Sequence, residues 1–490
     1  MLKKQEPPQG ELEIVYMEDL VPKDHLLRKI NKHIDFTFIR KLTEGLYCPD
    51  NGRPAIDPEV LFRMVFIGYL YGIRSERELV RQIEVNIAYR WFLGYKLTDK
   101  IPESATISYN RIHRFREAGI MEEVFNEILH QAIKAGLVGG KVVYTDSTHL
   151  KANANKHKYE LRDVAVKPKE YLKELDRAVD EEREKHGKKP LDRDDDRDGT
   201  TGTRETKVST TDPESGYMVR DGKPKGFFYL DHRTVDRKHN IILDTLVTPA
   251  NVNDVDPVSE VLNRVESRLG RTPEYAGFDA GYYTAPVCHE LGKRNIQGVI
   301  GYRTWSGAKT YRAYRFQYVR EWDVYVCPEQ TFLVYRTTTR EGYSEYAAAK
   351  CNCSQCPRRS KCLTDKAAVR IIRRHVWEDD KERVTWFTRT DKGKALYQAR
   401  KETIERSYAD SKELHGFRYC RFRGRVQTQE QSYLTAAVQN MKKIATILWR
   451  NSFVSIIPHK CLCLFQVSRY LHLVVEQTIF SMKCKTLAFG

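Results

Sequence analysis

Lys401-Glu402-Thr403-Ile404-Glu405-Arg406-Ser407-Tyr408-Ala409-Asp410-Ser411-Lys412 is the stretch on which the reading of this chain turns. It reads as a charged helix, and Glu405 and Lys412, seven positions or two turns apart, share one face. A carboxylate with basic residues on its own face can hold a metal ion and grip a phosphate beside it. Two aspartates elsewhere could meet it. Val142-Val143-Tyr144-Thr145 is a short buried-strand run ending in Asp146, and Tyr275-Ala276-Gly277-Phe278 is a second, delivering Asp279 at its end.

The chemistry that such a trio serves is specific. Cutting a phosphodiester, or joining a 3′-hydroxyl to a new phosphate, needs an activated oxygen and a stabilised leaving oxygen. Two divalent ions ~3.5–4 Å apart supply both. Hard oxygen ligands favour Mg²⁺ or Mn²⁺ over zinc. Taken singly, an aspartate after a strand is ordinarily a turn or cap residue. A glutamate on a charged helix is ordinarily solvated. Only the three together point to this chemistry.

The surrounding chain is long enough, at 490 residues, for two or three cores. Residues 1–20 read as a flexible arm and 21–135 as a helical, DNA-binding domain. In the latter, Pro58 opens an apolar helix through Leu70, Ser75-Glu76-Arg77-Glu78 caps another, and Ser104 to Ser108 leads into a third bearing Tyr109, Arg111, His113, Arg114 and Arg116. Basic and aromatic helix faces suit phosphate contact, although the same faces are ordinary in a solvated bundle. Gly226 to Leu230 and Ile241 to Val247 read as a hairpin, and helices follow from Asp254 and Ala280. With the strand Gly298 to Gly301, the pattern is a mixed α/β sheet. A charged interval over 156–206 contains Asp192, Asp194, Asp195, Asp196 and Asp198, which lack the glycine and glutamate spacing of a calcium loop and read as solvated. Residues 302–390 are an insertion with cysteines, a further helix runs from Gln429 to Leu448, and 451–490 form an atypical tail.

With 83 Lys+Arg against 66 Asp+Glu, the formal net charge is +17, which points to nucleic acid before a membrane surface. Neither a signal peptide nor a membrane span is legible, so a cytoplasmic protein is expected and the 11 cysteines are not read as a disulfide framework. Cys353 and Cys356 have the spacing that lets two thiolates chelate one ion; with Cys362 and either Cys327 or Cys351 they would make a structural zinc site. Arg358, Arg359 and Lys361 would favour the thiolates.

The segments Val142 to Thr148, Ala276 to Tyr282 and Ile404 to Gly416, with Ala436-Ala437-Val438-Gln439-Asn440 in the closing helix, resemble insertion-sequence DDE transposases with an RNase H-like catalytic domain. The stretch 55–115 resembles the helical domain that often precedes it, so the likeness covers most of residues 20–450. The resemblance implies a catalytic domain over 140–301 and 391–450, interrupted by the cysteine-containing insertion. It implies that Asp146 bridges two metals, Asp279 ligates one and Glu405 the other. Arg400, Arg406 and Lys412 would then contact phosphates near the cut. A tyrosine, arginine, glutamate and lysine signature surrounds the last acid in such enzymes. Tyr397, Arg400, Glu405 and Lys412 are similar to it, but the tyrosine and arginine stand one residue further upstream. Lys401 is thus an alternative to Arg400, and Glu402 and Glu413 are alternatives to Glu405. Arg421 and Arg423, in an aromatic and basic run, would grip DNA by phosphate contact and stacking.

The expected function is cleavage of element ends and transfer of the 3′-hydroxyl strands to target DNA, by an oligomer, dimeric at least, on double-stranded DNA. A nuclease of the same fold would cut without joining. A DNA-binding relic would have lost the metal site.

Overall fold

The structure is a computed structural model. It describes residues 14–454 except 49, 51–54, 166–170, 193–202, 220–223, 302–309 and 365. The acidic cluster beyond Asp192 and the tail beyond Val454 therefore lie outside the described residues. The described residues form two compact units: one gathers those within 14–67, 75–118 and 438–454, the other those within 68–74 and 119–437.

The first unit is helical. Ser75 caps the helix Glu76–Val85 by accepting from the Glu78 amide at 3.3 Å, and Asn86 caps Ile87–Leu93 in the same way. Ile30, Ile39, Phe62, Phe66, Ile83 and Phe92 form its buried interior. Residues 17–20, expected within a flexible arm, form a helical turn whose Glu18 meets Arg28 and accepts from the Trp91 indole at 2.6 Å. No helix among the described residues is long and apolar enough to cross a membrane.

The second unit is built on a six-stranded sheet. Its strands are β1 (Val142–Lys151), β4 (Gly216–Met218), β5 (Gly226–Asp236), β6 (Ile242–Pro249), β7 (Tyr275–Phe278) and β8 (Gln297–Ile300); β2 (Tyr159–Ala165) and β3 (Thr203–Ser209) pair as a separate ribbon. β5 lies antiparallel to β1 on one side and to β6 and β4 on the other, while β7 and β8 run parallel to β1. All 11 positions of β5 are buried, so the sheet is covered on both faces there. The helix Ile120–Lys134, expected with the N-terminal domain, clusters instead with this unit: Phe125 stacks on Tyr433, and Glu122 pairs with Arg264 and Arg268.

β1 differs from expectation. It does not end at Asp146 but continues to Lys151, paired with β5 from Val143↔Asp236 to Lys151↔Phe228. Ser147 and Thr148 look like turn residues locally, yet a long antiparallel partner keeps them extended. Within 302–390, β9 (Gln317–Val319), β10 (Val324–Val326), β11 (Phe332–Thr338), β12 (Tyr343–Ala347) and β13 (Ile371–His375) form an antiparallel sheet over Phe316, Leu333, Tyr346 and Ile372.

Candidate active site

Tyr144 sets the local geometry. Its parallel partner on β7 is Gly277, and a Cβ there would stand 2.4 Å from the Tyr144 ring, so only glycine lets the two strands sit this way. Two residues further along each strand come Asp146 and Asp279. Asp146 stands within β1 and Asp279 just past the end of β7, each two positions beyond the last parallel pair, and the charge of Asp279 reaches the Asp146 carboxyl. Asp279 leaves β7 extended and accepts from the Gly281 amide at 2.8 Å, capping a short turn.

The third acid arrives through an irregular helix. Lys401–Glu405 is a π-helical turn, in which the Glu405 amide reaches back to the Arg400 carbonyl at 3.4 Å, and Arg406–Leu414 continues as α-helix. A π-turn holds one residue more than an α-turn. The extra residue between Arg400 and Glu405 is absorbed there, and the two side chains stand on one face despite a separation of five. Arg400 donates to Asp146 Oδ2 at 2.9 Å and to Glu405 Oε1 at 2.8 Å, joining the two acids. Lys412 Nζ donates to Thr148 Oγ1 at 2.6 Å, two positions beyond Asp146 on β1.

Burial raises the Asp146 carboxyl to about 6; Arg400 and the Ser147 amide oppose this, and the charge of Asp279 adds to it. The trio is made of carboxylate oxygens, the donor type that Mg²⁺ and Mn²⁺ take. Among the described residues, the one set of three ligand side chains converging within 4.8 Å is elsewhere, at Glu182, His186 and Asp323. Between Asp146 and Glu405 stands the Arg400 guanidinium.

The remaining sequence candidates are distributed differently. Arg406 is exposed. Arg421 turns inward, donating to the Gly68 carbonyl at 3.2 Å and lying 3.8 Å over the Tyr69 ring, whereas Arg423 is exposed and donates to the Asn153 carbonyl. Of the alternative residues, Glu413 pairs with Arg418, and Lys401 and Glu402 are exposed. Cys327, Cys353 and Cys362 pack against the core of the five-stranded sheet. The Cys362 thiol is pushed up by burial, opposed by Arg370, and further up by Cys353, Cys327 and Cys356. Cys351 is exposed and not among these neighbours. The four thiols are neighbours without being drawn to within 4.8 Å.

Sequence reasoning missed the support beneath the site. Arg233 faces Asp146 across the β1–β5 register and is wholly buried, as is Asp231. Its guanidinium donates to Asp231 Oδ2 at 2.9 Å, to Ser411 Oγ at 2.7 Å and to Ser407 Oγ at 3.2 Å. Asp231 Oδ1 accepts from Thr245 and, at 2.6 Å, from Ser432. The Tyr408 hydroxyl is shared between the carbonyls of Asp146 and Asp231, at 2.8 and 2.7 Å. The helix behind Glu405 is thus docked on β1 and β5 through one buried ion pair and one tyrosine. The available signal was Ser407 and Ser411, two small hydroxyls one turn apart.

Residues 15–113 match a family described as a transposase domain (DUF772), and residues 326–445 match one described as a transposase DDE domain. The second match includes Glu405 and leaves Asp146 and Asp279 outside it. No curated protein matches the chain. Among solved structures, the cryo-EM structure of a piggyBac transposase synaptic complex with hairpin DNA is similar at 8% identity, over 86% of this chain and 78% of that one. Its TM-score is 0.27.

Proposed function

Because the chain is a DDE-type transposase, matched to transposase families along two separate segments, we propose that it cleaves the ends of its own mobile element and joins the freed 3′-hydroxyls to target DNA. The observation that supports this is Asp146 in β1 with Asp279 just past the end of the parallel neighbour β7, and Arg400 joining Asp146 to Glu405. The sheet, with β4 and β6 antiparallel to β5, β5 antiparallel to β1, and β7 and β8 continuing parallel to β1, supports an RNase H-like catalytic domain.

In this reading Asp146, Asp279 and Glu405 hold Mg²⁺ or Mn²⁺. When bound, the metal polarises the attacking oxygen and neutralises charge on the leaving one. The chain's own residues do the rest. Asp146 sits in a buried strand and Glu405 on a helix docked through Tyr408, so the acids are held before DNA arrives. Lys412 and Arg406 lie on that helix as phosphate ligands, and Arg423 extends the basic surface. The N-terminal helices bind double-stranded DNA, and a dimer or larger oligomer cuts two ends in concert. A zinc ion held by Cys327, Cys353, Cys356 and Cys362 would relieve the mutual repulsion of those thiolates and stabilise the five-stranded sheet.

The test incubates purified protein in Mg²⁺ with a plasmid carrying the gene's flanking DNA and compares wild type with Asp279→Asn. Cuts at the element ends together with joined products, both absent in the variant, are expected. Cutting without joining would replace this reading by a nuclease. Retarded DNA without cutting by folded wild-type protein would replace it by a binding-only relic.

A further inference from the structure

The guanidinium of Arg400 lies between two carboxylates that the proposed function assigns to metal. We propose that Arg400 is the resident counter-cation of this site: its guanidinium fills the gap between Asp146 and Glu405 and gives that place up when divalent metal binds. The inference rests on the proposed function and adds a competition to it.

Three observations support it. Arg400 is not a loose surface cation; its side chain is 12% exposed, against 18% for Asp146 and 45% for Glu405. Its two terminal nitrogens are used separately, Nη1 on Asp146 at 2.9 Å and Nη2 on Glu405 at 2.8 Å, so the guanidinium spans the acids rather than forking onto one. The π-turn is what brings Arg400 and Glu405 onto one face. An interposed guanidinium also keeps the acids apart. Oxygens that share one ion at about 2.0–2.6 Å can stand as much as about 5 Å apart, with the ion between them. The guanidinium holds the place between Asp146 and Glu405 that such an ion would take, so ion and guanidinium compete for it. Arginine suits this double service, because its planar fork matches a phosphate as well as a carboxylate. The arm displaced by metal becomes available to the DNA backbone beside the acids.

The experiment titrates DNA-free protein with Mn²⁺, counting free ion by electron paramagnetic resonance, and records melting with and without the ion. Wild type, Arg400→Met, Arg400→Lys and Asp279→Asn are compared. Removing one cation a few ångströms from a half-exposed site should tighten Mn²⁺ binding about tenfold. Arg400→Met should therefore bind more tightly, melt lower without metal and gain more from it, while Arg400→Lys, which keeps the charge but not the span, falls between it and wild type. Arg400→Gln, a neutral side chain that still donates a hydrogen bond, serves should the Met variant not fold. Unchanged or weaker Mn²⁺ binding by a folded neutral variant would overturn the inference, provided Asp279→Asn lowers affinity. Should wild type and Asp279→Asn bind Mn²⁺ alike, the metal reading of the acidic trio falls instead.

Discussion

Replacing Arg233 by Met tests whether the buried pair beneath the site holds the Glu405 helix in place. Both Arg233 and Asp231 are wholly buried, and Arg233 spends three of its donor contacts on Asp231, Ser407 and Ser411. Methionine fills much of the same volume, so a cavity contributes little. The cost comes from leaving the Asp231 carboxylate in the interior with only hydroxyl donors, Thr245 and Ser432 among them. Breaking a buried pair in this way costs about 3–5 kcal/mol. Two side chains of one network do not act independently. The double variant Asp231→Asn/Arg233→Met should therefore be less destabilised than the sum of the singles, by at least about 2 kcal/mol. A chain with two compact units need not unfold in one step. Urea unfolding is therefore paired with hydrogen exchange over residues 401–414, and the transition in which that segment loses protection is the one compared. Arg233→Met within about 1 kcal/mol of wild type, with exchange over 401–414 unchanged, would refute the reasoning. Additive single costs would show that the two residues act separately.

Asp146→Asn should make the metal-free protein more stable at neutral pH. The folded carboxyl lies at about 6 against an ordinary 3.8. Its contribution is thus fully present below about pH 4 and is lost as pH rises through about 6, leaving a cost of at most about 3 kcal/mol at pH 7.5. Melting in chelator should separate variant from wild type at pH 7.5 and not at pH 4; an equal gap at both would contradict this. Gly277→Ala would put a Cβ 2.4 Å from the Tyr144 ring and strain the bond from the Tyr144 hydroxyl to the Leu396 carbonyl, now 2.7 Å. About 1–3 kcal/mol should be lost in urea unfolding, and a neutral result would mean that β1 and β7 adjust freely. Zinc by atomic emission should be near one equivalent per chain and fall in Cys353→Ser, with Cys351→Ser unaffected; equal zinc in both variants would exclude the four-thiol site.

How much of this was legible in the sequence depended on how local the cause was. The β7 run Tyr275 to Phe278 and the Ser75 cap were readable because their signals sit within a few residues of the element they define. The extent of β1 was not, because the residues that extend it past Asp146 belong to β5, about 80 positions away. Arg400 and Glu405 were visible as residue types, but their facing depends on a π-turn that no propensity announces. Asp231 and Arg233 were hidden more deeply: in a run of buried strand residues, two opposite charges carry no signal until their partners on other elements are known.

The docking of Ser407 and Ser411 on Arg233 also has a consequence for timing. Arg233 leaves the ribosome 174 residues ahead of Ser407. At roughly 5–20 residues per second, that interval lasts about ten to thirty-five seconds. During it the strand holding Arg233 has no helix to receive it, and Asp146 has neither Glu405 nor Arg400 beside it. If the proposed function holds, a nascent chain could not cut DNA before Glu405 had been made. The group of Asp146, Arg400 and Glu405, and the docking of the helix behind it, can form only once Ser411 has been made.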